Sequence, residues 1–194
     1  MRILIACEFS GTVRNAFTAL GHDAWSCDLL PTDTKGNHYQ GDAIDIAYRG
    51  GPWDLMIAHP PCTHLAVSGA AWFHRKQKEQ ADALDFVRAL LNAPIDRICL
   101  ENPVSVISSK IRKPDQIVHP WMFGHMEQKT TCLWLKGLPK LIETNNVKQE
   151  MLALPKNQRE RLHYLPPSPD RWKLRSTTFS GLASAMAHQW GGKT

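Results

Sequence analysis

Short apolar runs recur along the chain, and several of them are followed by a polar turn and a helical pattern. The first run covers residues 2–9 (RILIACEF), and apolar positions from Val13 to Leu20 then repeat at helical spacing up to Gly21. Strands that alternate with helices form parallel sheets. This order therefore predicts a doubly wound α/β fold whose first unit is a strand, a tight turn and a helix.

Later runs extend the same pattern over the rest of the chain. Further strands are predicted at 23–27 (DAWSC), in a short segment leading to 41–46 (GDAIDI), and at 53–58 (WDLMIA), 97–102 (RICLEN) and 130–135 (TTCLWL), and helices at 77–91 and 180–190. Residues 139–175 contain several prolines and no clear period, and we interpret them as a short irregular appendage. We expect a single domain over residues 1–194 rather than two domains.

Polar residues follow the predicted strands. The carboxyl ends of parallel strands meet at one edge of a doubly wound sheet, and ligands bind there, where the strand order reverses. In chain order the residues at these ends are Glu8, Phe9, Ser10, Gly11, Asp28, Asp42, His59, Pro60, Pro61, Cys62, Glu101 and Asn102. A single acidic residue at such a position is often only a cap for the next helix. Their repetition along one edge predicts a functional site.

The first turn and the second strand suggest a cofactor. The turn EFSGT is poor in glycine beside the pattern G-x-G-x-x-G, so on its own it is a weak signal. Asp28, at the end of the second strand, can accept hydrogen bonds from both ribose hydroxyls of an adenosine-containing cofactor, with Asp42 one strand further out, near the adenine. A nicotinamide cofactor would use similar residues.

Cys62 stands directly after two prolines that end the fourth strand, because proline cannot donate to a sheet ladder. A thiolate is a good nucleophile that can add to an electron-poor ring carbon, and its pKa falls beside cationic groups. Glu101, on the next strand, can hydrogen-bond or protonate a ring nitrogen. Alone, such a cysteine is usually a small buried apolar residue, and such a glutamate is usually structural. Together they favour a nucleophile and an acid.

His59 and His64 flank Cys62, which raises the question of a metal site. Zinc requires three or four ligands, and this spacing offers no second cluster, so we predict no metal. His59 is more often a satisfied polar residue, and alternatively it lowers the pKa of the Cys62 thiol. The five cysteines form no C-x-x-C pair, which disfavours a disulfide framework.

The net charge of +5 and the isoelectric point near 9.0 favour an anionic partner. Basic and aromatic residues gather in the last third, at Arg159, Arg161, His163, Tyr164, Arg171, Trp172, Lys173 and Arg175. This mixture can bind phosphate and stack a base, although a solvated basic loop explains it equally well. No apolar stretch approaches the ~20 residues that cross a bilayer, and the first residues do not form a signal peptide, so we expect a cytoplasmic protein.

The strand-end Pro-Cys and the later Glu-Asn resemble motifs of the cytosine-5 DNA methyltransferases, which use S-adenosylmethionine. In that family the thiol adds to cytosine C6, and the glutamate contacts N3 and the exocyclic amine. The matching residues here are Pro61-Cys62 and Glu101-Asn102. The resemblance covers residues 1–135, together with 176–187 (STTFSGLASAMA), which are similar to the family's closing cofactor motif.

The resemblance implies a Rossmann-like methyltransferase fold with a mostly parallel sheet, and it implies roles for individual residues. Phe9-Ser10-Gly11 is similar to the family's first motif, and Asp28 and Asp42 match its next two acids. The implied catalytic residues are Cys62, Glu101 and Asn102; those at the cofactor, S-adenosyl-L-methionine, are Glu8, Phe9, Ser10, Gly11, Asp28, Asp42, Pro60 and Ser180; those at the substrate are Pro61, Lys129 and Arg175.

The resemblance predicts methyl transfer to C5 of cytosine in DNA, with a covalent adduct on the cysteine. The family places a sizeable target-recognition domain before its last motif, whereas only residues 139–175 occupy that place here, as in compact versions resembling those of bacteriophages. We therefore expect single-stranded DNA or a cytosine nucleotide as well as duplex DNA to be possible substrates. A non-catalytic nucleic-acid-binding or cofactor-binding protein, and transfer of another group to a pyrimidine, remain alternatives. The sequence leaves the target sequence and the oligomeric state open.

Overall fold

The computed structural model describes residues 1–192, which form a mixed α/β fold around one seven-stranded sheet. The strands are β1 (Arg2–Ala6), β2 (Asp23–Asp28), β3 (His38–Gln40), β4 (Leu55–Ala58), β5 (Ile98–Pro103), β6 (Gln116–Val118) and β7 (Thr131–Lys136). The α-helices are α1 (Thr12–Ala19), α2 (Ala43–Arg49), α3 (Gln77–Leu91), α4 (Ile107–Lys110), α5 (Lys148–Ala153), α6 (Lys156–Arg159), α7 (Arg161–Tyr164), α8 (Arg171–Ser176) and α9 (Ser180–Gly191). Val67–Arg75 and Pro120–Met122 are 3₁₀ helices.

The sheet has the strand order β3-β2-β1-β4-β5-β7-β6. Strands β1 to β5 pair in parallel, and β7 runs antiparallel to both β5 and β6. The order reverses between β1 and β4, so the crevice at the carboxyl ends of these two strands is the expected ligand site of such a sheet. The mostly parallel sheet that the sequence predicted is confirmed.

Both faces of the sheet are covered, which explains the unbroken apolar runs of its central strands. In β1, Leu4 and Ala6 face a core that includes side chains of α2 and α3, while Ile3 and Ile5 face a core formed with α1 and α9. Every residue of β4 is buried as well. Since successive side chains point to opposite faces of a strand, only a continuous apolar sequence fills both layers.

Helix α9 packs against α1 by means of small residues. Gly181, in its first turn, approaches the backbone of Phe123 so closely that a Cβ built on it would lie 1.9 Å from the Phe123 carbonyl oxygen. Ala183, Ala185 and Ala187 are buried farther along the helix. The small-residue composition of the predicted closing helix is therefore a packing requirement.

The structure differs from the sequence-based expectations mainly at the far edge of the sheet. The helix predicted at 77–91 and the strand predicted at 23–27 are confirmed within one residue. Strand β6 was not predicted, because three residues are too short to show a period. Glu101 and Asn102, predicted at the end of the fifth strand, lie within β5, opposite Leu133 and Cys132 of β7.

The segment 139–175, predicted as irregular, carries the short helices α5 to α8, each of four to six residues. One buried carboxylate attaches it to the rest of the chain. Glu127 accepts a hydrogen bond from the backbone amide of Leu162 at 3.0 Å and lies 3.5 Å from Nε of Arg161. Within residues 1–192, no helix is both long enough and apolar enough to cross a membrane.

Candidate functional site

The loop that carries Cys62 begins where β4 stops pairing. The backbone amide of His59 still donates to the carbonyl of Ala6, at 2.9 Å, and two prolines then end the ladder. The Cys62 carbonyl accepts hydrogen bonds from the amides of Leu65 and Ala66, at 3.0 and 2.9 Å. These bonds fold the chain into a tight turn that leaves the cysteine exposed.

Asn102 ties this loop to the neighbouring strand. Its Nδ2 donates a hydrogen bond to the carbonyl of Pro60 at 2.9 Å, and its side chain is buried. The loop is held on its other side too, because the amide of Val106 donates to the carbonyl of Leu65. Hydrogen bonds on both sides of Cys62 therefore join the segment after β4 to β5 and to the segment after β5. A catalytic contribution of Asn102 stays a prediction, whereas its contact with the cysteine loop is a property of the fold.

Glu101 points to His59 across the same two strands. Its Oε2 lies 3.2 Å from Nδ1 of His59, and the two side chains are only 16% and 9% exposed. Burial raises the pKa of Glu101, but the hydrogen bond and charge of His59 and the charge of Lys129 outweigh it, so the pKa lies below its ordinary value. Glu101 is therefore a carboxylate at neutral pH.

The Cys62 thiol is not activated at rest. Burial and the negative charge of Glu101 raise its pKa, and the positive charges of Lys129 and Arg175 offset that rise only in part. The interpretation that His59 lowers the pKa of this thiol is therefore wrong, because the imidazole turns to Glu101 instead.

Lys129 and Arg175, predicted on the substrate side, both lie within electrostatic range of Cys62. Nζ of Lys129 donates to the backbone carbonyl of Arg175 at 3.1 Å and sits 5.9 Å from the centre of the Phe179 ring. The structure thus brings together two positions that are 46 residues apart in the sequence. Pro61, between the tethered Pro60 and Cys62, is exposed at the same edge.

The turn after β1 is organised around Glu8. This carboxylate is buried and accepts hydrogen bonds from the amides of Val13 and Arg14, at 2.7 and 3.2 Å, and from the hydroxyl of Ser10, at 3.3 Å. It therefore caps the first turn of α1, a structural role that the sequence did not separate from cofactor binding. Its predicted contact with a cofactor stays a prediction.

Position 11 requires glycine both because of its backbone conformation and because there is no room for a side chain. It precedes α1 in a left-handed conformation, with φ of 71°. A Cβ on it would lie 2.3 Å from Oγ1 of Thr34 and 2.4 Å from Nη2 of Arg14. The buried Arg14 guanidinium in turn bonds to Thr34 and to the carbonyl of Lys35, and so holds the loop after β2 against the first turn.

Asp28 and Asp42 converge on the ends of β1 and β2. Oδ1 of Asp28 accepts from the amide of Leu30 at 3.0 Å, and Oδ1 of the exposed Asp42 caps α2 through the amide of Ile44, at 2.7 Å. Burial is the main cause of the raised pKa of Cys27, about 12, and the negative charges of these two carboxylates raise it further. Each carboxylate thus uses one oxygen locally, and its second oxygen has no partner among residues 1–192.

Helix α8 of the appendage covers Phe9, in the turn after β1. The ring of Trp172 packs on the buried Phe9 with centroids 5.3 Å apart, and Nζ of Lys173 lies 5.7 Å from the Phe9 ring. Lys173 also forms an ion pair with Asp33 at 3.4 Å. The sequence suggested that Trp172 and Lys173 contact nucleic acid. No signal in the sequence indicates that they pack against Phe9.

Ser180 is the first residue of α9 and is exposed. Its hydroxyl lies 3.4 Å from Nε2 of His125, which accepts a hydrogen bond from the amide of Gly181 at 2.9 Å. Burial lowers the pKa of His125, so this imidazole is neutral and can act as an acceptor. His125 therefore caps α9 beside the predicted cofactor residue.

The basic residues of the last third are largely engaged within the chain. Arg161 pairs with Glu127, Lys173 with Asp33, and Arg171 donates to the carbonyl of His163. Arg175 is exposed, and its guanidinium has no partner among the described residues. Of this cluster, Arg175 is therefore the residue most available to an external phosphate.

All five cysteines are free thiols. In the part of the chain that the structure describes, no three His, Cys, Asp or Glu side chains are grouped closely enough to hold a metal ion. The chemistry available around Cys62 is thus that of one exposed thiol, the Glu101 carboxylate with its histidine partner, and two nearby cations.

Comparison with known proteins adds a similarity of fold. No protein-family model matches the chain, and no curated protein matches it. Among solved structures, a crystal structure described as a proposed DNA modification methyltransferase encoded within an E. coli prophage is similar, with a TM-score of 0.48 and 17% sequence identity. The match covers 79% of this chain and 55% of that one, so the chain spans little more than half the length of the structure it resembles. A similarity of this size assigns neither a family nor an activity.

Proposed function

We propose that the protein transfers a methyl group from S-adenosylmethionine to C5 of a cytosine base in DNA. One observation carries this proposal. The exposed Cys62 thiol and the Glu101 carboxylate stand at the ends of adjacent strands, and the Asn102–Pro60 hydrogen bond fixes the loop of one to the strand of the other. A nucleophile and a group for the ring nitrogen need such a fixed separation.

The residues around β1 and β2 fit the cofactor. Asp28 and Asp42 each keep one oxygen without an internal partner, as hydrogen-bond acceptors for ribose and adenine groups would require. Phe9, Ser10 and Gly11 form the turn at the strand-order reversal, and Pro60 and Ser180 complete the predicted set on the neighbouring segments. When bound, S-adenosylmethionine supplies an electrophilic methyl group.

The chain's own residues account for the remaining steps. The Sγ atom of Cys62 adds to C6 of cytosine, which makes C5 nucleophilic. Glu101 holds N3 and the exocyclic amine of the base. The positive charges of Lys129 and Arg175 stabilise the Cys62 thiolate before it adds to C6. After methyl transfer, the C5 proton leaves and the bond between Sγ and C6 breaks. Asn102 keeps the thiol in place throughout.

The appendage is short, which favours substrates whose cytosine is not paired in a duplex. Flipping a base out of double-stranded DNA costs a few kcal/mol, which an extended recognition surface would have to offset. Here most basic side chains of residues 159–173 are bonded within the chain. We therefore propose single-stranded DNA or a cytosine nucleotide as the preferred substrate.

The experiment is to incubate the protein with labelled S-adenosylmethionine and, separately, with duplex DNA, single-stranded DNA, RNA and dCMP. Mass analysis of the nucleosides should show 5-methyldeoxycytidine, and Cys62→Ser should abolish it. DNA containing 5-fluorocytosine should trap the wild-type protein as an adduct that survives denaturation. A different modified nucleoside would redirect the proposal to another transferred group.

The raised pKa of Cys62 favours a second candidate, a non-catalytic protein that binds nucleic acid or the cofactor. A thiol that remains protonated at neutral pH is a poor nucleophile unless a ligand stabilises its thiolate. Binding of S-adenosylmethionine or DNA without methylation of any of the four substrates would establish this candidate.

A further inference from the structure

His59 lies outside the Pro-Cys motif, yet it is the hydrogen-bond partner of the carboxylate in the proposed site. Its Nδ1 is 3.2 Å from Oε2 of Glu101. An ionised carboxylate is only an acceptor, so Nδ1 carries a proton and donates it to this bond. The other ring nitrogen, Nε2, is buried and has no partner among the described residues. Protonation at Nε2 would therefore break no existing hydrogen bond.

The proposed substrate creates a conflict at this carboxylate. Cytosine presents a lone pair at N3, which is an acceptor, and an ionised Glu101 presents only acceptors. Two acceptors facing each other without a proton repel, whereas the N3–H group of a uracil ring would bind a carboxylate directly. A site that acts on cytosine must therefore hold one more proton than the resting carboxylate has.

We propose that His59 is a positioning residue that controls this proton. Its Nδ1–H occupies Oε2 of Glu101 and leaves Oε1 to face the base, so the one extra proton of the pair lies on Oε1 and is presented to N3. The inference rests on the proposed function and deepens it, because it makes the pair of His59 and Glu101 the determinant of cytosine over uracil.

The proton balance is as follows. The Cys62 thiol first loses its proton to solvent. As the bond between Sγ and C6 forms, the C5=C6 electron pair shifts to C4–C5 and the C4=N3 pair shifts to N3. N3 takes the proton from Oε1, and the Glu101 carboxylate that remains keeps its hydrogen bond from Nδ1–H of His59. When the C5 proton has left to solvent and the bond to sulfur breaks, N3 returns its proton to the pair. Base and pair exchange one proton in each direction.

The other groups that face Glu101 are Lys129, which precedes β7, Cys62 on the turn after β4, and the buried thiols of Cys99 and Cys132 on β5 and β7. The pKa of each of these three thiols is raised, first by burial and next by Glu101, so all three stay protonated near neutral pH.

The first test is the pH dependence of methylation. The pair must hold its extra proton and Cys62 must lose its own, so wild-type kcat, divided by the ionised fraction of Cys62 obtained from the pH dependence of its alkylation, should fall as pH rises. His59→Asn keeps a donor but no titratable nitrogen. We expect it to lower kcat about 10²-fold near pH 7 with little change in KM, and to move the falling limb by about one pH unit or more. His59→Gln serves if the first variant does not fold. His64→Asn, in the same loop, should keep the wild-type profile.

The second test measures protons without turnover. Calorimetric binding of a cytosine-containing single strand, in buffers of different ionisation enthalpy, should show uptake of about one proton above neutral pH by wild type and none by His59→Asn. If wild type methylates cytosine but His59→Asn keeps both the profile and the proton uptake, the role of His59 is overturned and the proposed function stands. If wild type methylates no substrate, both are overturned.

Discussion

The side-chain amide of Asn102 donates a hydrogen bond to the carbonyl of Pro60 at 2.9 Å, so a residue within β5 holds the loop that presents Cys62. Replacing Asn102 by Ala leaves the Pro60 carbonyl without its donor in a buried place. We expect a loss of about 1–3 kcal/mol in unfolding free energy, measured by urea denaturation. Asn146→Ala, which removes exposed contacts with Glu143 and with the amide of Lys148, should cost less, because water can replace both. Equal losses would show that the tether is not a major contributor.

The Cys62 thiol should respond in opposite directions to its two charged neighbours. Because Glu101 raises the pKa of Cys62 and Lys129 lowers it, Glu101→Gln should speed alkylation by iodoacetamide at pH 8, and Lys129→Gln should slow it. In wild type the rate of alkylation should keep rising as pH passes the ordinary pKa of a cysteine thiol. The Cys62→Ser protein gives the background from the other four cysteines. Identical rates in all three proteins would contradict the electrostatic account.

Asp28→Ala should weaken S-adenosylmethionine binding. Each charge-assisted hydrogen bond to the ribose contributes about 1.5–3 kcal/mol, so affinity should fall at least tenfold in calorimetry. The fold should survive, since Asp28 makes one local bond, to the amide of Leu30. Asp85→Ala, which removes an exposed carboxylate from α3, is the matched control. Unchanged affinity for Asp28→Ala would place the cofactor elsewhere.

Gly181→Ala should destabilise the protein even though alanine is the better helix former by about 1 kcal/mol. The added methyl group would overlap the Phe123 carbonyl oxygen, and backbone cannot yield as a flexible side chain does. Overpacking of this kind costs about 1–3 kcal/mol, which should appear as a lower urea midpoint. Ser184→Ala, on the exposed face of α9, should be neutral or stabilising. A stabilised Gly181→Ala protein would contradict this packing.

Arg175 should contribute more to nucleic-acid affinity than Arg161. The Arg175 guanidinium is exposed beside Cys62, whereas Arg161 pairs with Glu127. If Arg175 contacts a phosphate of single-stranded DNA, Arg175→Ala should reduce the slope of log affinity against log salt by about 0.7. The slope of Arg161→Ala should stay close to that of wild type. Fluorescence anisotropy across a salt series measures both, and the reverse order would reassign the phosphate contact.

The mostly parallel α/β fold, and the positions of Cys62 and Glu101 near the ends of adjacent strands, could be predicted because they depend on local patterns. The apolar run of β1 and the helical spacing of 77–91 are visible in any short window of the sequence. Pro60 and Pro61 mark the end of β4 by covalent geometry alone. Since parallel strands end at one edge, the proximity of Cys62 and Glu101 follows from their positions after and near the ends of successive strands.

Other properties depend on contacts between distant positions, and no local pattern reveals them. The bond between His59 and Glu101 joins residues 42 apart, and it decides that the imidazole does not lower the pKa of the thiol. The direction of β7 depends on its pairing with β5, since its sequence suits either orientation. Likewise, Glu8 resembles a ligand in the sequence, and only the position of α1 shows that it caps a helix.

Helix α8 spans both halves of the site in fewer than two turns. Trp172 near its start rests on Phe9, in the turn after β1, while the carbonyl of Arg175 near its end accepts a hydrogen bond from Lys129, whose charge lowers the pKa of the Cys62 thiol. The six residues of α8 thus join the turn after β1 to the surroundings of Cys62, and a change in the packing of Trp172 on Phe9 would reach the carbonyl that holds Lys129 through less than two helical turns.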